Sequence, residues 1–492
     1  MFDAAVMMGP LLEGSFYALL AEHGDRIVRD QDFSECYAER MGRPSIPPSQ
    51  LAKVLLLQHR TGVSDEEAME SVRWDLRWKA ALDLPVDHQG WHPTSLTKFR
   101  ARLLLHKKEG LALENTLRLA RELGLLDGPI EQIVDSTPML GAAATQDTVR
   151  LVRFGVRKLI DAVAAVDPDA GEMLVAGLEF DYEKPGEKPE CQWRVKAERE
   201  RMLTRVAQDA QRAMLAVEQA DGLLEDEQVK AAYELLGDLI GQDFDVDQDG
   251  VPRLHRGTRP GRIISTIDPE MQHGRKSSSQ RFDGFKLSAA VSNTSEPLIM
   301  AVHVAPGGEA DGPQAKHLID SQPLEHRPER ILGDTAYGNG VVRAELAKRQ
   351  VDVLAPVPEG EIVEGRVGKR DFTIDPAAGT VRCPAGHTTM ITTSKKGVRT
   401  ARISRKLCRA CPLKERCCPG RESRQIALGE HEELIIAARA ALNDPDTAAH
   451  LRHAGPGSSG SLACSRSPTA RARADTSAAP KPPCKPAGLP RW

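Results

Sequence analysis

The chain has no apolar run long enough to span a bilayer. It also lacks the marks of an export signal. No basic segment leads into an apolar core at the start, and Asp3 and Glu13 interrupt the stretch Met1 to Tyr17. A membrane protein or a secreted one is therefore not expected, and the cytoplasm is the expected compartment. A dominant charge of either sign is missing too. The formal net charge is −4, from 66 Lys and Arg against 70 Asp and Glu in 492 residues. Any polyanion must then be met by local basic patches rather than by the field of the whole molecule. Nine cysteines, odd in number and unevenly spread, give no disulfide framework. Their crowding between Cys383 and Cys418 points instead to a reducing compartment and a metal site. What is present is ordinary globular material, 40% hydrophobic and 28% charged. It is too long for one core, so two or three domains are expected.

Residues 1–128 read as helical. After Pro47-Pro48, Leu51, Val54, Leu55 and Leu56 form an apolar stripe with Lys53 and Gln58 outside it. Thr61-Gly62 breaks that helix, and Ser64 with Glu67 has the spacing of a capping box for the next. Trp74 and Trp78 are spaced to share one helix face. A further helix carries Leu96, Phe99, Leu103 and Leu104, surrounded by Lys98, Arg100, Arg102, Lys107 and Lys108. Short helices, a glycine turn and a basic third helix suit a helix-turn-helix DNA reader. A helical bundle whose basic residues only meet solvent gives the same pattern.

Ile130 to Val134 alternates, is β-branched, and predicts a strand ending in Asp135-Ser136-Thr137-Pro138. Residues 146–258 read as a charged helical insertion. Within it, Asp245, Asp247, Asp249 and Gly250 copy half of an EF-hand loop. Arg256 stands where the bidentate Glu belongs and Pro252 interrupts, so this stretch reads as a polar turn. Strands are expected again at 263–266, at Phe285 to Val291 and Leu298 to Val304 as a hairpin, at Arg330 to Asp334, and at 351–355 after a helix over 341–349. This alternation predicts an α/β domain made of 129–145 and 259–360.

Asp135 and Asp334 each follow a short apolar strand, at the sheet edge where reacting groups collect. Two carboxylates from separate strands can hold divalent metals about 3.5–4 Å apart, which act at phosphodiesters. Oxygen donors favour Mg²⁺ or Mn²⁺. An aspartate bonding its own turn backbone is the plainer alternative for each.

Four motifs occur in order: Asp135-Ser-Thr-Pro138, Asp268-Pro-Glu-Met-Gln-His-Gly-Arg-Lys276, Phe282-Asp-Gly-Phe-Lys286 and Gly333-Asp-Thr-Ala-Tyr-Gly338. That string resembles bacterial insertion-sequence transposases of the 1182-type group, whose chemistry rests on two aspartates and a glutamate (DDE). Gly14-Ser-Phe-Tyr17, Arg43-Pro-Ser-Ile-Pro47 and Asp75-Leu-Arg-Trp78 resemble the helical N-terminal domain of the same group, and the likeness runs from about Glu13 to about Ala449. The resemblance implies an RNase H-like core with Asp135 and Asp334 as first and second acids, loaded with Mg²⁺. It implies an N-terminal domain that binds terminal inverted repeats, and cleavage and joining of double-stranded DNA at the element's ends and at target sites. Such enzymes act as dimers on paired ends in the bacterial nucleoid, although nothing in the sequence marks a dimer interface. Arg275, Lys276, Arg281 and Lys286 lie between the two acids. Either they hold DNA phosphates or they solvate the surface.

In 372–420, Cys383, Cys408, Cys411 and Cys417 are candidate ligands of a structural, tetrahedral Zn²⁺, with His387 as a substitute. Free thiols in a reducing compartment are the alternative. The clusters found in similar transposases favour a small zinc ribbon-like module.

A helical segment is expected over 421–450, and a disordered tail, rich in Ser, Pro, Ala and Arg, over 451–492. The resemblance requires a third acid, a glutamate in a basic helix reading Val-Glu-Arg-Lys. No such segment exists, and Glu430, Glu432 and Glu433 come too early for it. Gly457-Ser-Ser-Gly-Ser461 can be encoded as GGG TCG AGC GGA AGC, and reading from the third base gives Val-Glu-Arg-Lys. The expectation is a frameshift near 450–454 that removed the acid and silenced the enzyme. A non-catalytic DNA-binding remnant and a zinc-containing nuclease that cuts without joining are the rival readings.

Overall fold

A computed structural model describes residues 4–37, 45–128, 130–276, 279–358 and 364–455. These form two compact units. One gathers described residues from 1–135, 290–301 and 319–492, the other those of 136–289 and 302–318.

The first unit begins with seven helices: α1 (Ala4–Leu12), α2 (Phe16–Ile27), α3 (Pro48–Thr61), α4 (Asp65–Trp74), α5 (Leu76–Ala81), α6 (Thr94–Leu105) and α7 (Leu111–Glu122). Helix α3 stops at Gly62, as expected, and the φ of 71° there is a left-handed cap. Helix α4 starts with the expected capping box: Glu67 N–H donates to Ser64 Oγ and Ser64 N–H donates to Glu67. Trp74 and Trp78 do not share a face. Asp75 ends α4 and caps α5, so Trp78 is buried at 2% exposure while Trp74 is 71% exposed. Leu20, Leu57, Trp78, Leu96 and Phe99 share one core. Leu104, expected in the apolar stripe of α6, is exposed.

Strand β1 (Gln132–Leu140) does not end at Asp135 as expected. Its residues stay extended through Pro138. The second unit then holds α8 (Thr148–Val166), α9 (Pro168–Ala176), α10 (Lys196–Gln219) and α11 (Glu227–Asp243), followed by the hairpin of β2 (Phe244–Val246) and β3 (Pro252–Leu254). Its core joins Val156, Leu159, Val206, Ala210 and Leu236. Buried Asp209 pins the α9–α10 connection by accepting Glu179 N–H at 2.9 Å, Phe180 N–H at 3.0 Å and Tyr182 O–H at 2.9 Å. The aspartate-rich stretch is a turn, in which Asp247 accepts the N–H groups of Asp249 and Val251. Residues 263–266 form no strand. Their backbone is instead tied to side chains, Ile263 N–H to Gln242 Oε1 and Thr266 N–H to Gln146 Oε1, both at 2.8 Å.

Next come β4 (Gln272–Arg275), β5 (Arg281–Ser292), β6 (Ile299–Pro306) and the short α12 (Ala315–Asp320). Strands β1, β5 and β6 pass from one unit into the other. In the second unit β4 and β5 make an antiparallel ladder. There Gly284, at φ 144°, admits the β1 backbone so closely that a Cβ would sit 2.2 Å from Met139 O. In the first unit β7 (Arg330–Leu332) and β8 (Asp352–Leu354), joined by α13 (Gly340–Ala347), extend the sheet in the order β5-β1-β7-β8. The pairs β1/β7 and β7/β8 are parallel, so the region is α/β as predicted.

The cysteine-bearing region is larger than the expected ribbon. Strands β9 (Thr373–Asp375), β10 (Thr380–Arg382), β11 (Thr388–Thr393), β12 (Arg399–Arg402) and β13 (Gln425–Leu428) form an antiparallel sheet. The turns of α14 (Arg405–Arg409) and α15 (Lys414–Cys417) lie between the last two strands. Helices α16 (Glu432–Leu442) and α17 (Pro445–Ala454) close the described chain. Helix therefore persists to Ala454, past the expected start of the tail at 451, and residues 456–492 lie outside the described residues.

Candidate active site

Parallel pairing sets the strands that lead to the two acids side by side. Gln132 and Ile133 of β1 stand opposite Ile331 and Leu332 of β7. Asp135 and Asp334 each follow a matched partner by two residues. The pairing ends there, and Asp334 stands in the turn beyond β7, two residues past the last paired position. Strand β7 ends at Leu332, so Asp135 lies where β1 has lost its parallel partner, although β1 itself continues. Asp135 is half-buried and Asp334 exposed.

Local chemistry fixes both. Gln132 is fully buried and exchanges two amide hydrogen bonds with Gln322, at 2.8 and 3.0 Å, which anchors the start of β1. Beyond β7, Asp334 Oδ1 accepts Ala336 N–H at 2.8 Å, the self-bonded turn weighed as the plainer alternative. This bond aims the carboxylate without occupying its second oxygen. Tyr337 is buried behind it, and Gly338 lies so near β8 that a Cβ would fall 1.8 Å from Pro356 O. That approach gives a physical reason for glycine in Gly333-Asp-Thr-Ala-Tyr-Gly338.

The residue that locks this loop was not found from sequence. Buried Arg343 on α13 donates to Gly338 O at 3.0 Å, Val353 O at 2.5 Å and Ala355 O at 2.7 Å. Burial lowers its pKa from the usual guanidinium value. An arginine inside a helical pattern carries no signal for such a role.

Among the described residues, no group of three or more His, Cys, Asp or Glu could hold a metal ion. The two acids fit a hard cation by donor type and register, and supply only part of a coordination shell. Glu432 serves the scaffold instead. It is buried, accepts Lys369 Nζ at 2.6 Å and Gly429 N–H at 2.8 Å, and so ties down the start of α16.

The predicted DNA contacts divide. On α6, Lys98 is exposed, and Arg102 lies 4.6 Å over the Tyr37 ring. Arg100 is committed to Asp65 and to Gln58, a brace between α6, α4 and α3. The guanidinium of Arg100 holds the Asp65 carboxyl below its usual range. Arg275 and Arg281 are cross-strand partners at the exposed end of the β4–β5 ladder, with Lys276 next to them. Facing like charges cost stability, and an anion would relieve the repulsion. Lys286 is not at that end. It is 12% exposed and bonded to Asp311 and Glu309 O, both at 2.8 Å.

Cys383, Cys408, Cys411, Cys417 and Cys418 line one small apolar cavity together with His387. Thiolate and imidazole donors suit zinc. The groups are nonetheless packed as thiols, with Ile403, Cys408 and Cys418 forming an apolar cluster against Cys383, and no three converge as a ligand set. Burial pushes the Cys417 thiol up to about 11.

Residues 9–102 match the family model described as a transposase domain (DUF772), and residues 241–406 match the one described as a transposase DDE domain. Together they span just over half of the chain. No curated protein and no solved structure matches it.

Proposed function

Because the chain belongs to the DDE transposases, a family of DNA-cleaving enzymes, we propose that it descends from an insertion-sequence transposase that bound terminal inverted repeats and cut and joined DNA at Asp135 and Asp334. The matched register of β1 and β7 supports this reading, since each acid follows a paired residue by two positions. Mg²⁺ held there would activate the attacking hydroxyl and neutralise the leaving oxygen. The chain's own residues would do the rest. Asp135 and Asp334 supply oxygen donors, Arg343 keeps the Asp334 loop rigid, and the cations at Arg275, Lys276 and Arg281 hold phosphate. Lys98 is the open basic position on α6, Arg102 packs over Tyr37, and Arg100 acts as a brace. The family's RNase H-like core corresponds to β1, β4 to β8 and their helices.

On this reading the family's third acid was lost with a shifted frame, and the contacts of α17 support a place for it near the start of β1. His450 Nε2 lies 2.7 Å from Glu131 Oε2 at the start of β1, and Leu451 and Ala454 pack over Ile133, Leu332 and Leu354. These contacts seat α17 against the start of β1. The shifted frame writes its glutamate across the codons of Ser458 and Ser459. The 492-residue chain is on this reading an inactive transposase. A non-catalytic DNA-binding remnant is the companion reading, favoured by the same absence of a three-acid group among the described residues.

Nicking assays on duplexes ending in the element's inverted repeats test this. The chain is expected to leave them intact in Mg²⁺ or Mn²⁺. Robust metal-dependent end cleavage, lost in Asp135→Asn and Asp334→Asn, would overturn the inactivity and keep the site. Cleavage unaffected by those substitutions would overturn the site itself.

A further inference from the structure

Helix α10 carries two stripes. Met202, Leu203, Val206, Ala207, Ala210, Ala213 and Val217 face the core of the second unit. Ala197, Glu200, Arg201, Thr204 and Arg205, at spacings of three and four, line a separate open cleft of about 660 Å³. Its other wall is the end of the β2–β3 hairpin, with Arg253, Leu254 and Arg256. Thr204 Oγ1 donates to Pro252 O at 3.1 Å and fixes the two walls together.

Four guanidinium groups thus line one concave surface against a single carboxylate, Glu200. Arg205 pairs with Glu179, and Arg253 with Asp247 at 2.9 Å, both through half-exposed contacts that contribute little to stability. Arg201 and Arg256 are exposed and have no ion-pair partner among the described residues. Arg201 and Arg205 at i and i+4 repel each other. The cleft opens on the first turns of α10, where the helix dipole adds positive potential. Forked guanidinium donors converging on an open groove suit the oxygens of a phosphodiester backbone.

We propose that this cleft is a second DNA-binding surface, in which Arg201 and Arg256 grip phosphates of duplex DNA without reading its sequence. It rests on the transposase reading for the identity of the polyanion. It makes the helical insertion a DNA-holding element separate from the α6 face and from the end of the β4–β5 ladder.

The test is equilibrium binding of the full chain to labelled duplex DNA between 50 and 200 mM salt, for the wild type and for R201Q/R256Q. Each phosphate contact adds about 0.9 to the slope of log affinity against log salt, so losing two lowers it by about 1.8. The wild type should then lose roughly tenfold more affinity than the variant across that fourfold salt range. Glu200→Gln, which removes the lining carboxylate, should tighten binding at every salt concentration. Wild-type binding with an unchanged slope in R201Q/R256Q, whose exposed positions leave folding intact, would overturn the cleft and leave the DNA-binding reading standing. Failure of the wild type to bind any duplex at 50 mM salt would overturn both. A slope change with heparin but not with DNA would contradict DNA as the occupant.

Discussion

The acid-bearing edge of the β1–β7–β8 sheet and the cysteine cavity above β9–β13 are both candidate metal centres, and they fail to be complete in opposite ways. At the sheet edge the scaffold is finished and ligands are short. Parallel pairing, a buried Gln132–Gln322 pair and the Arg343 clamp hold the strands and the loop that carry Asp135 and Asp334, and no group of three possible metal ligands forms among the described residues. In the cysteine cavity the ligands are abundant and the convergence is short, since five thiols and an imidazole line it without three of them meeting as a set. The difference teaches that donor count and geometric preorganisation are separate properties. Backbone register delivers the second cheaply, because parallel pairing fixes side-chain direction residue by residue. Thiols on turns have no such template and pack as small apolar groups until something draws them in.

The largest expected effect is at the clamp. Arg343→Leu leaves the carbonyls of Gly338, Val353 and Ala355 without their charged donor, and should cost about 3 kcal/mol or more in urea unfolding. A loss below about 1 kcal/mol would show that the Asp334 loop holds itself and that the scaffold is less built than the comparison states. On the cysteine side, Zn²⁺ titrated into the fully reduced chain should bind near one equivalent and raise the melting temperature of the β9–β13 module. Cys383→Ser, Cys408→Ser or Cys411→Ser should abolish both responses. Absence of zinc binding by the wild type would settle the cavity as packed free thiols.

The smallest effect is in pH. The Cys417 thiol is raised by burial to about 11, above the usual cysteine value near 8.5. A group whose folded pKa is raised contributes its full stability below the unfolded value and loses it as pH climbs through the folded one. In the zinc-free chain the module's melting temperature should therefore decline between about pH 8.5 and 11. Cys417→Ser should flatten that decline, and a melt independent of pH across that window in the wild type would contradict the burial of this thiol. On the opposite side of neutrality, the Arg100 brace depresses the Asp65 carboxyl. Its contribution is present above the ordinary carboxyl range and lost as pH falls through the lowered value. Asp65→Asn should weaken the N-terminal helices at neutral pH and remove that part of their acid sensitivity, as read by melts at pH 7 and pH 3.

Sequence showed well what local chemistry specifies. The Gly62 stop, the Ser64–Glu67 capping box, the β5–β6 hairpin and the presence, though not the ends, of strands β1 and β7 depend on nearest neighbours in the chain. It showed poorly what distant partners decide. Nothing local separates Arg100, claimed by Asp65, from Lys98, left open, or Lys286, bonded to Asp311, from Arg281. The strand expected at 263–266 had the right residues. It became an extended segment because Gln146 and Gln242, far away in sequence, took its hydrogen bonds. Trp74 and Trp78 were spaced for one face, and Asp75 divided them into two helices. Arg343 was illegible because its three acceptors are carbonyls placed by tertiary structure alone.

The most direct test of the central claim, that the sheet edge is a transposase site deprived of its third acid, is the nucleotide sequence from codon 445 to a few hundred bases beyond codon 492. The account predicts that a second frame encodes Val-Glu-Arg-Lys opposite Gly457 to Ser461 and continues as an amphipathic helix, extending α17 toward Asp135 and Asp334. A gene with no such frame would contradict it, because the missing acid would then have no origin in this locus.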